Sequence, residues 1–359
     1  MMKAAIITIQ DINNYGNRLQ NYATQYVLEK KGYKVISLMN SNQSGNVYIK
    51  GKVKYLSGLY HSTFFAKYIK HDMRLYNFIL FDKKNIKFSK EFYNKSKQYK
   101  NLNKKYNYFF VGSDQVWNSS FHHAKRLDLL EDIDYDKSIS LSASVGVSKL
   151  NDKDIKSFEK ALPNIKYISV REDKAKELLQ PFTKSKIEVL IDPTMMLTAN
   201  EWEKLEIRPN FFTYKNYVVV YCLGNMSVER TAFINRIAKE NNYEIIDLMN
   251  SSDIAYTSGP SEFLYLIHHA KLVCTDSFHA CVFSILFDTQ FYVFEREDKL
   301  ESMNSRIETL LNKFALNEHR KKDYIEYSIN HDYTNAYKIL ENERKKFNLF
   351  LDNCFGDEK

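Results

Sequence analysis

Short apolar runs alternate with helical patterns along most of this chain, and that alternation constrains the fold more than any other feature. Residues 4–9, 34–38, 108–111, 138–144, 167–170 and 187–191 are brief runs dominated by apolar residues. Helix-period stretches separate most of them, as at 152–162 and 172–179. After a polar loop at 10–17, Leu19, Tyr22, Ala23, Tyr26 and Val27 share one helical face, and Gly32 ends that helix. Strands that are apolar along their whole length and alternate with helices predict a parallel, doubly wound sheet. A connection at 196–216, containing Pro209, leads to a second series. There, strands at 217–223, 244–248, 272–275 and 291–294 alternate with helices at 228–241, 261–270 and 278–287. The expected organisation is a first domain over 1–200 and a second, smaller one over 210–330. A last helix within 331–359 is expected to pack back on the first domain.

Composition narrows the class. With 10 Gly, 5 Pro and 44% hydrophobic residues in 359, collagen-like and disordered chains are excluded. No apolar run reaches the roughly 20 residues needed to span a bilayer. Residues 1–10 lack a small-residue cleavage site and read as a first strand, not a signal peptide. The four cysteines form no CxxC pair and read as buried reduced thiols, which points to a cytoplasmic protein. The net charge of +8 is concentrated: residues 50–106 carry 15 Lys/Arg against 3 Asp/Glu, among many Tyr and Phe. That segment reads either as helices with lysines in solvent and aromatics inward, or as a contact for an anionic membrane surface. No nucleic-acid motif accompanies it, and none of the histidines shows metal-ligand spacing. His268-His269 matches a helix C-terminus, and His122-His123 lies in a polar loop.

Ligands of open parallel sheets bind outside the carboxyl ends of the strands, so the residues that follow each strand matter most. They are Gly16-Asn17-Arg18, Gly112 to Asn118, Gly146, Arg171-Glu172, Asp192-Pro193-Thr194, Gly224-Asn225 and Asp276-Ser277-Phe278-His279. Two sheets edged by polar loops imply a cleft between the domains. Gly16 and Asn17 open either a helix whose amide end attracts an anion or a plain turn. Arg18 and Arg171 suit carboxylate or phosphate oxygens. Asp276 or Ser277 caps the helix from Phe278, which puts His279 in its first turn, where a neutral imidazole and a nearby anion are both favoured; the alternative is a histidine satisfied in the core. Asp114 and Asp192 suit an acid, a base or a hydroxyl binder, with a turn role equally open for Asp192. Trp117 offers either a flat face to a sugar or core packing.

Taken in order, these loops and Gly259-Pro260-Ser261-Glu262-Phe263 resemble the polysaccharide pyruvyl transferase family from about residue 3 to about residue 300. The resemblance implies two Rossmann-like domains in a GT-B-like architecture. It also implies transfer of the enolpyruvyl group of phosphoenolpyruvate to two hydroxyls of a sugar, forming a cyclic pyruvate ketal. The acceptor would belong to a cell-surface polysaccharide or its lipid-linked precursor. The expected catalytic residues are His279, Arg171 and Asp114. The expected donor residues are Arg171, Ser277, His279, Gly16, Asn17 and Arg18. Asp114, Trp117 and Asn118 are expected at the acceptor, with phosphoenolpyruvate as co-substrate and no cofactor or metal. Many members carry Arg-Leu-His where this chain has Ser277-Phe278-His279, so another cation (Arg18 or a Lys) takes that place, or the donor differs. The alternatives are a GT-B glycosyltransferase using a nucleotide sugar and a non-catalytic glycan- or membrane-binding protein.

Overall fold

The computed structural model describes residues 1–39, 66–93, 96–99, 101–119, 127–296, 304–328 and 330–356, with backbone only at 66–69 and 96–97. His122-His123 and the basic segment's residues 50–65 lie outside them. The strands are β1 (Lys3–Ile7), β2 (Lys34–Met39), β3 (Phe88–Phe92), β4 (Tyr108–Val111), β5 (Ser138–Ala143), β6 (Tyr167–Val170), β7 (Ile187–Val189), β8 (Tyr217–Tyr221), β9 (Glu244–Asp247), β10 (Leu272–Thr275), β11 (Phe291–Phe294) and β12 (Arg320–Lys321). The longer helices are α1 (Tyr15–Lys30), α2 (Ala66–Asn85), α3 (Asp152–Ala161), α4 (Asp173–Leu179), α5 (Val228–Asn241), α6 (Pro260–His268), α7 (Phe278–Leu286), α8 (Asn304–Phe314) and α9 (Thr334–Phe355).

The chain divides into two compact units. The first comprises Met1–Tyr48, Asp82–Leu197 and Leu340–Lys359; the second comprises Ile49–Phe81 and Thr198–Ile339. The first is built on a seven-stranded sheet, ordered β3-β2-β1-β4-β5-β6-β7 and parallel throughout. The second is built on a parallel five-stranded sheet, ordered β12-β11-β10-β8-β9. Both are Rossmann-like α/β units, as the strand–helix alternation requires. Strand order reverses between β1 and β4 in the first sheet, and between β8 and β10 in the second.

Burial explains why these runs are strands. Ala4 to Ile7 and Phe109 to Val111 are inaccessible to solvent, so both faces of the central strands are covered. Val218, Val220, Cys274 and Phe294 meet Phe233 and Ile237 of α5 in the core of the second unit. All four cysteines are buried and free. β3 and β12 escape a search for apolar runs: β3 is mostly exposed, with Lys90 and Glu91 inside it, and β12 is two residues long.

The basic segment divides at Phe81/Asp82, within α2. Arg74, Phe78 and Phe81 of α2 are buried. The Arg74 guanidinium donates to the Tyr256 carbonyl at 2.9 Å and lies over the Phe78 and Tyr256 rings. Asn77 donates to the Thr257 carbonyl at 2.8 Å. A Cβ on Gly259 would come within 2.8 Å of the Asn77 Cβ, so close packing by α2 accounts for that glycine. Lys83, Lys84 and Lys87 remain exposed. Among the described residues, no helix is long and apolar enough to cross a membrane. In the last helix, Arg344 of the first unit donates to the carbonyls of Met195 and Leu197, both at 2.8 Å.

Two glycines separate strain from space. Gly32 ends α1 at φ +89 with nothing near its missing Cβ, whereas Gly112 at φ +133 would drive a Cβ into the Leu141 carbonyl. Gly32→Ala should therefore lower the unfolding free energy by about 1–2 kcal/mol, from left-handed backbone alone. Gly112→Ala should cost more than about 3 kcal/mol. Urea unfolding of the two variants checks the difference, and equal losses would contradict it.

Candidate functional site

In the first unit, the strand-end loops meet in a buried polar network at the β1/β4 reversal. The loop after β1 ends at Asn14, whose side chain caps α1 by accepting from the Asn17 amide at 3.1 Å. Gly16 and Asn17 therefore lie inside the first turn of α1. The Asn17 side-chain amide crosses to the loop after β4 and donates to Asp114 at 3.2 Å. One turn on, Gln20 accepts from the Ser113 amide at 3.0 Å and donates to Thr8 at 2.8 Å.

Arg171, immediately after β6, joins two further loops. Its Nη1 donates to Asp192 at 2.6 Å and its Nη2 to Asp114 at 3.4 Å. Asp192 also accepts from the Ser113 hydroxyl at 2.6 Å and from the Thr194 amide at 3.0 Å. Burial alone would lower the Arg171 pKa, but the charges of Asp192, Asp114 and Glu172 outweigh it and hold the guanidinium protonated. Glu172 accepts from the Ser144 hydroxyl, the Val145 amide and the Gly146 amide, at 2.9, 2.9 and 3.0 Å. Gly146, at φ +62, has no room for a Cβ against the Gln115 side chain.

The network thus unites Asn17, Asp114 and Arg171 of the expected site with Asp192, the other acidic candidate. It also alters three expectations. Arg171 holds two protein carboxylates, so its place is to orient Asp114 rather than to lie open to a donor anion. Arg18 is fully buried and donates to the Ile9 carbonyl at 2.8 Å, to Asn17 at 2.5 Å and to Asp82 at 3.4 Å, so it is not a cation exposed to ligand. Burial raises the pKa of Asp82, and Arg18 partly offsets that rise. Trp117 and Asn118 are also interior. Trp117 is 1% exposed, stands edge-on to Phe158 and donates its indole N–H to the Asp128 carbonyl at 2.8 Å, leaving no face for a sugar. Asn118 donates to Gln115 at 2.7 Å. Asp114 is the most accessible acidic side chain of the cluster, at 9% against 0% for Asp192.

Sequence reasoning passed over Gln20 and Glu172 as site members. Gln20 was recoverable from its spacing, three residues beyond Asn17 on the same helical face. Glu172 stood in view beside Arg171, but only the folded loops show that it organises 144–146.

In the second unit, Ser277 is the N-cap of α7 but its side chain makes no capping bond. Asp276 does not cap α7 either. Its carboxylate accepts from the amides of Leu223 and Gly224, at 2.6 and 2.7 Å, and so ties the ends of β8 and β10 across the reversal of strand order. Thr275 accepts from the Ser277 amide at 2.9 Å. His279 lies in the first turn of α7, 5% exposed and edge-on to Phe278.

The Arg171 network makes a stability prediction. Arg171→Met leaves Asp192 and Asp114 without their shared cation, and the unfolding free energy should fall by about 3–5 kcal/mol. Arg171→Lys should recover only part of this, because one ammonium cannot reproduce the forked geometry. Chemical denaturation measures both, and a loss within error for Arg171→Met would contradict the assignment.

Among solved structures the chain is similar to UDP-N-acetylglucosamine 2-epimerase from Rickettsia bellii, at 12% identity and TM-score 0.46, covering 98% of this chain and 96% of that one. It is similar to a glycosyltransferase from Rickettsia africae ESF-5 at 9% identity and TM-score 0.49, covering 98% and 99%. It is also similar to the E. coli ADP-heptose lps heptosyltransferase II at 9% identity and TM-score 0.35, covering 95% and 99%. Likeness at that level says nothing about chemistry. No curated protein matches the sequence. Residues 14–298 match the family described as polysaccharide pyruvyl transferase. That match takes in well over half of the chain, including the strand-end residues described above from Asn14 onward, and the chain belongs to the polysaccharide pyruvyl transferase family.

Proposed function

We propose that this protein transfers the enolpyruvyl group of phosphoenolpyruvate to two hydroxyls of a sugar, forming a pyruvate ketal and releasing phosphate. The acceptor is a sugar of a cell-surface polysaccharide or of its lipid-linked precursor. The family match across residues 14–298 is the observation that carries this reading. In chemical terms, a proton adds to the methylene carbon of the donor and leaves a cationic C2. One sugar hydroxyl attacks C2 and loses its proton. Phosphate then departs with the C–O bonding pair, and the second hydroxyl closes the ketal with loss of a second proton.

Such a sequence needs both an acid and a base. Asp114 is assigned to the acceptor hydroxyl, because Asn17 and Arg171 hold its two oxygens and it is the least buried carboxylate of its network. Arg171 is a positioning residue that orients Asp114. His279 is assigned to proton transfer or to the phosphate. The amino end of α7, which has no side-chain cap, favours the same anion. Arg18 and Arg171 are engaged by carboxylates, so neither stands in for the arginine that many members carry at the position of Ser277.

The assay is phosphate release from phosphoenolpyruvate against a panel of hexosides and lipid-linked oligosaccharides. His279→Ala should abolish release, and Asp114→Asn should lower kcat by about 10²–10⁴-fold. Near-normal turnover in both variants would remove the assigned roles. Consumption of a nucleotide sugar instead would favour the glycosyltransferase alternative. Contact with an anionic membrane is tested separately: replacing Lys83, Lys84 and Lys87 with Gln should weaken binding to vesicles containing acidic lipid. Unchanged binding would remove these lysines from any membrane role.

A further inference from the structure

A side-chain cluster of the second unit, outside the strand-end loops, has the donor set of a metal site. His268 is the last residue of α6 and His269 its C-cap, while Glu206 follows the short helix Ala199–Glu203. His268 Nδ1 lies 2.7 Å from Glu206 Oε1, and His269 Nε2 lies 3.4 Å from Glu206 Oε2. One ligand atom from each of the three residues falls within 4.8 Å of the other two. Donors around a tetrahedral zinc, with bonds near 2.1 Å, are separated by about 3.4 Å, so shifts under about 1 Å bring the three into range.

The surroundings fix these rings. His268 stacks on Phe287 at 4.5 Å and on His269 at 4.4 Å, and His269 lies 4.3 Å from Tyr265. Glu203 stands 4.0 Å from His268 Nε2, on the far side of the ring from Glu206. Glu206 is 10% exposed while His269 is 45% exposed, so the cluster is anchored on one side and open to solvent on the other. A simple ion pair explains His268 with Glu206 but not the second imidazole at the other oxygen. Two imidazoles and a carboxylate gathered within reach of one point are a donor set that suits a dication.

We propose that Glu206, His268 and His269 bind one divalent late-transition-metal ion, for which Zn2+ is the probe. Two nitrogens and one carboxylate favour such an ion over Mg2+ or Ca2+, which take oxygen ligands. The three protein ligands leave a fourth position for water. The bound ion would staple the 199–206 segment to the carboxyl end of α6, supplementing the Ile207 amide bond to the Ser261 carbonyl at 3.2 Å. Pair spacing along the sequence hides the site, because Glu206 lies 62 residues from His268. The inference goes beyond the pyruvyl-transfer reading and shares no residue with the roles assigned there.

The test uses the full chain, stripped with chelator and titrated with Zn2+ by calorimetry. One ion per chain is expected, Mg2+ should give no saturable heat, and Zn2+ should raise the thermal midpoint. His268→Gln and His269→Gln should each weaken binding by more than about 100-fold. The His268→Gln/His269→Gln double variant should keep its circular dichroism spectrum but lose the Zn2+-dependent rise in midpoint. Absence of saturable Zn2+ binding to the wild-type chain would overturn the proposal. So would undiminished one-to-one binding in the double variant, which would place the ion elsewhere in the chain.

Discussion

The first unit depends on a single guanidinium buried between two carboxylates. Arg171 binds Asp192 at 2.6 Å and Asp114 at 3.4 Å, and the loops after β4, β6 and β7 all end on it. Desolvating one cation and two anions is costly, and the arrangement is tolerable because each partner has further hydrogen bonds. Ser113 and Thr194 complete Asp192, and Asn17 completes Asp114. The result is a fixed set of polar loops at the strand-order reversal, where parallel α/β sheets place their ligands. Glu172 does the same for 144–146 through three hydrogen bonds to one oxygen. A carboxylate held from two sides, and not an open arginine, is what this network offers to chemistry.

The second unit solves the same problem with fewer charges. Asp276 reaches from the end of β10 to the amides of Leu223 and Gly224 after β8, so a single carboxylate bridges its reversal. That commitment removes Asp276 from the cap of α7 and leaves His279 as the titratable group of the first helical turn. The repeated use of a carboxylate across a reversal follows from topology: loops that diverge there need a tie between them.

Much of this was legible in the sequence. The apolar runs at 4–9, 108–111, 217–223 and 272–275 became central strands because complete burial needs uninterrupted apolar residues. The polar residues after them became the site loops. Partner choice was not legible. Arg18 and Arg171 look alike in a one-dimensional reading, yet Arg18 pairs with Asp82, 64 residues away, and Arg171 with Asp114, 57 residues away. Trp117 illustrates the same limit. Its polar neighbours suggested a sugar platform, but the indole packs on Phe158 and donates to a carbonyl eleven residues on. β3 was hidden because Lys90 and Glu91 interrupt it and β12 because it is two residues long, and the Glu206–His268–His269 cluster because Glu206 is distant in the chain from the two histidines.

The central claim is that carbon from phosphoenolpyruvate ends in a ketal on sugar. The direct measurement is NMR of the product formed from phosphoenolpyruvate labelled with 13C at the methylene carbon, in deuterated water. The account predicts that the label appears in a methyl group attached to a ketal carbon on the sugar, carrying one deuteron from solvent. Label remaining in phosphoenolpyruvate, or released as free pyruvate with the sugar unmodified, would contradict it.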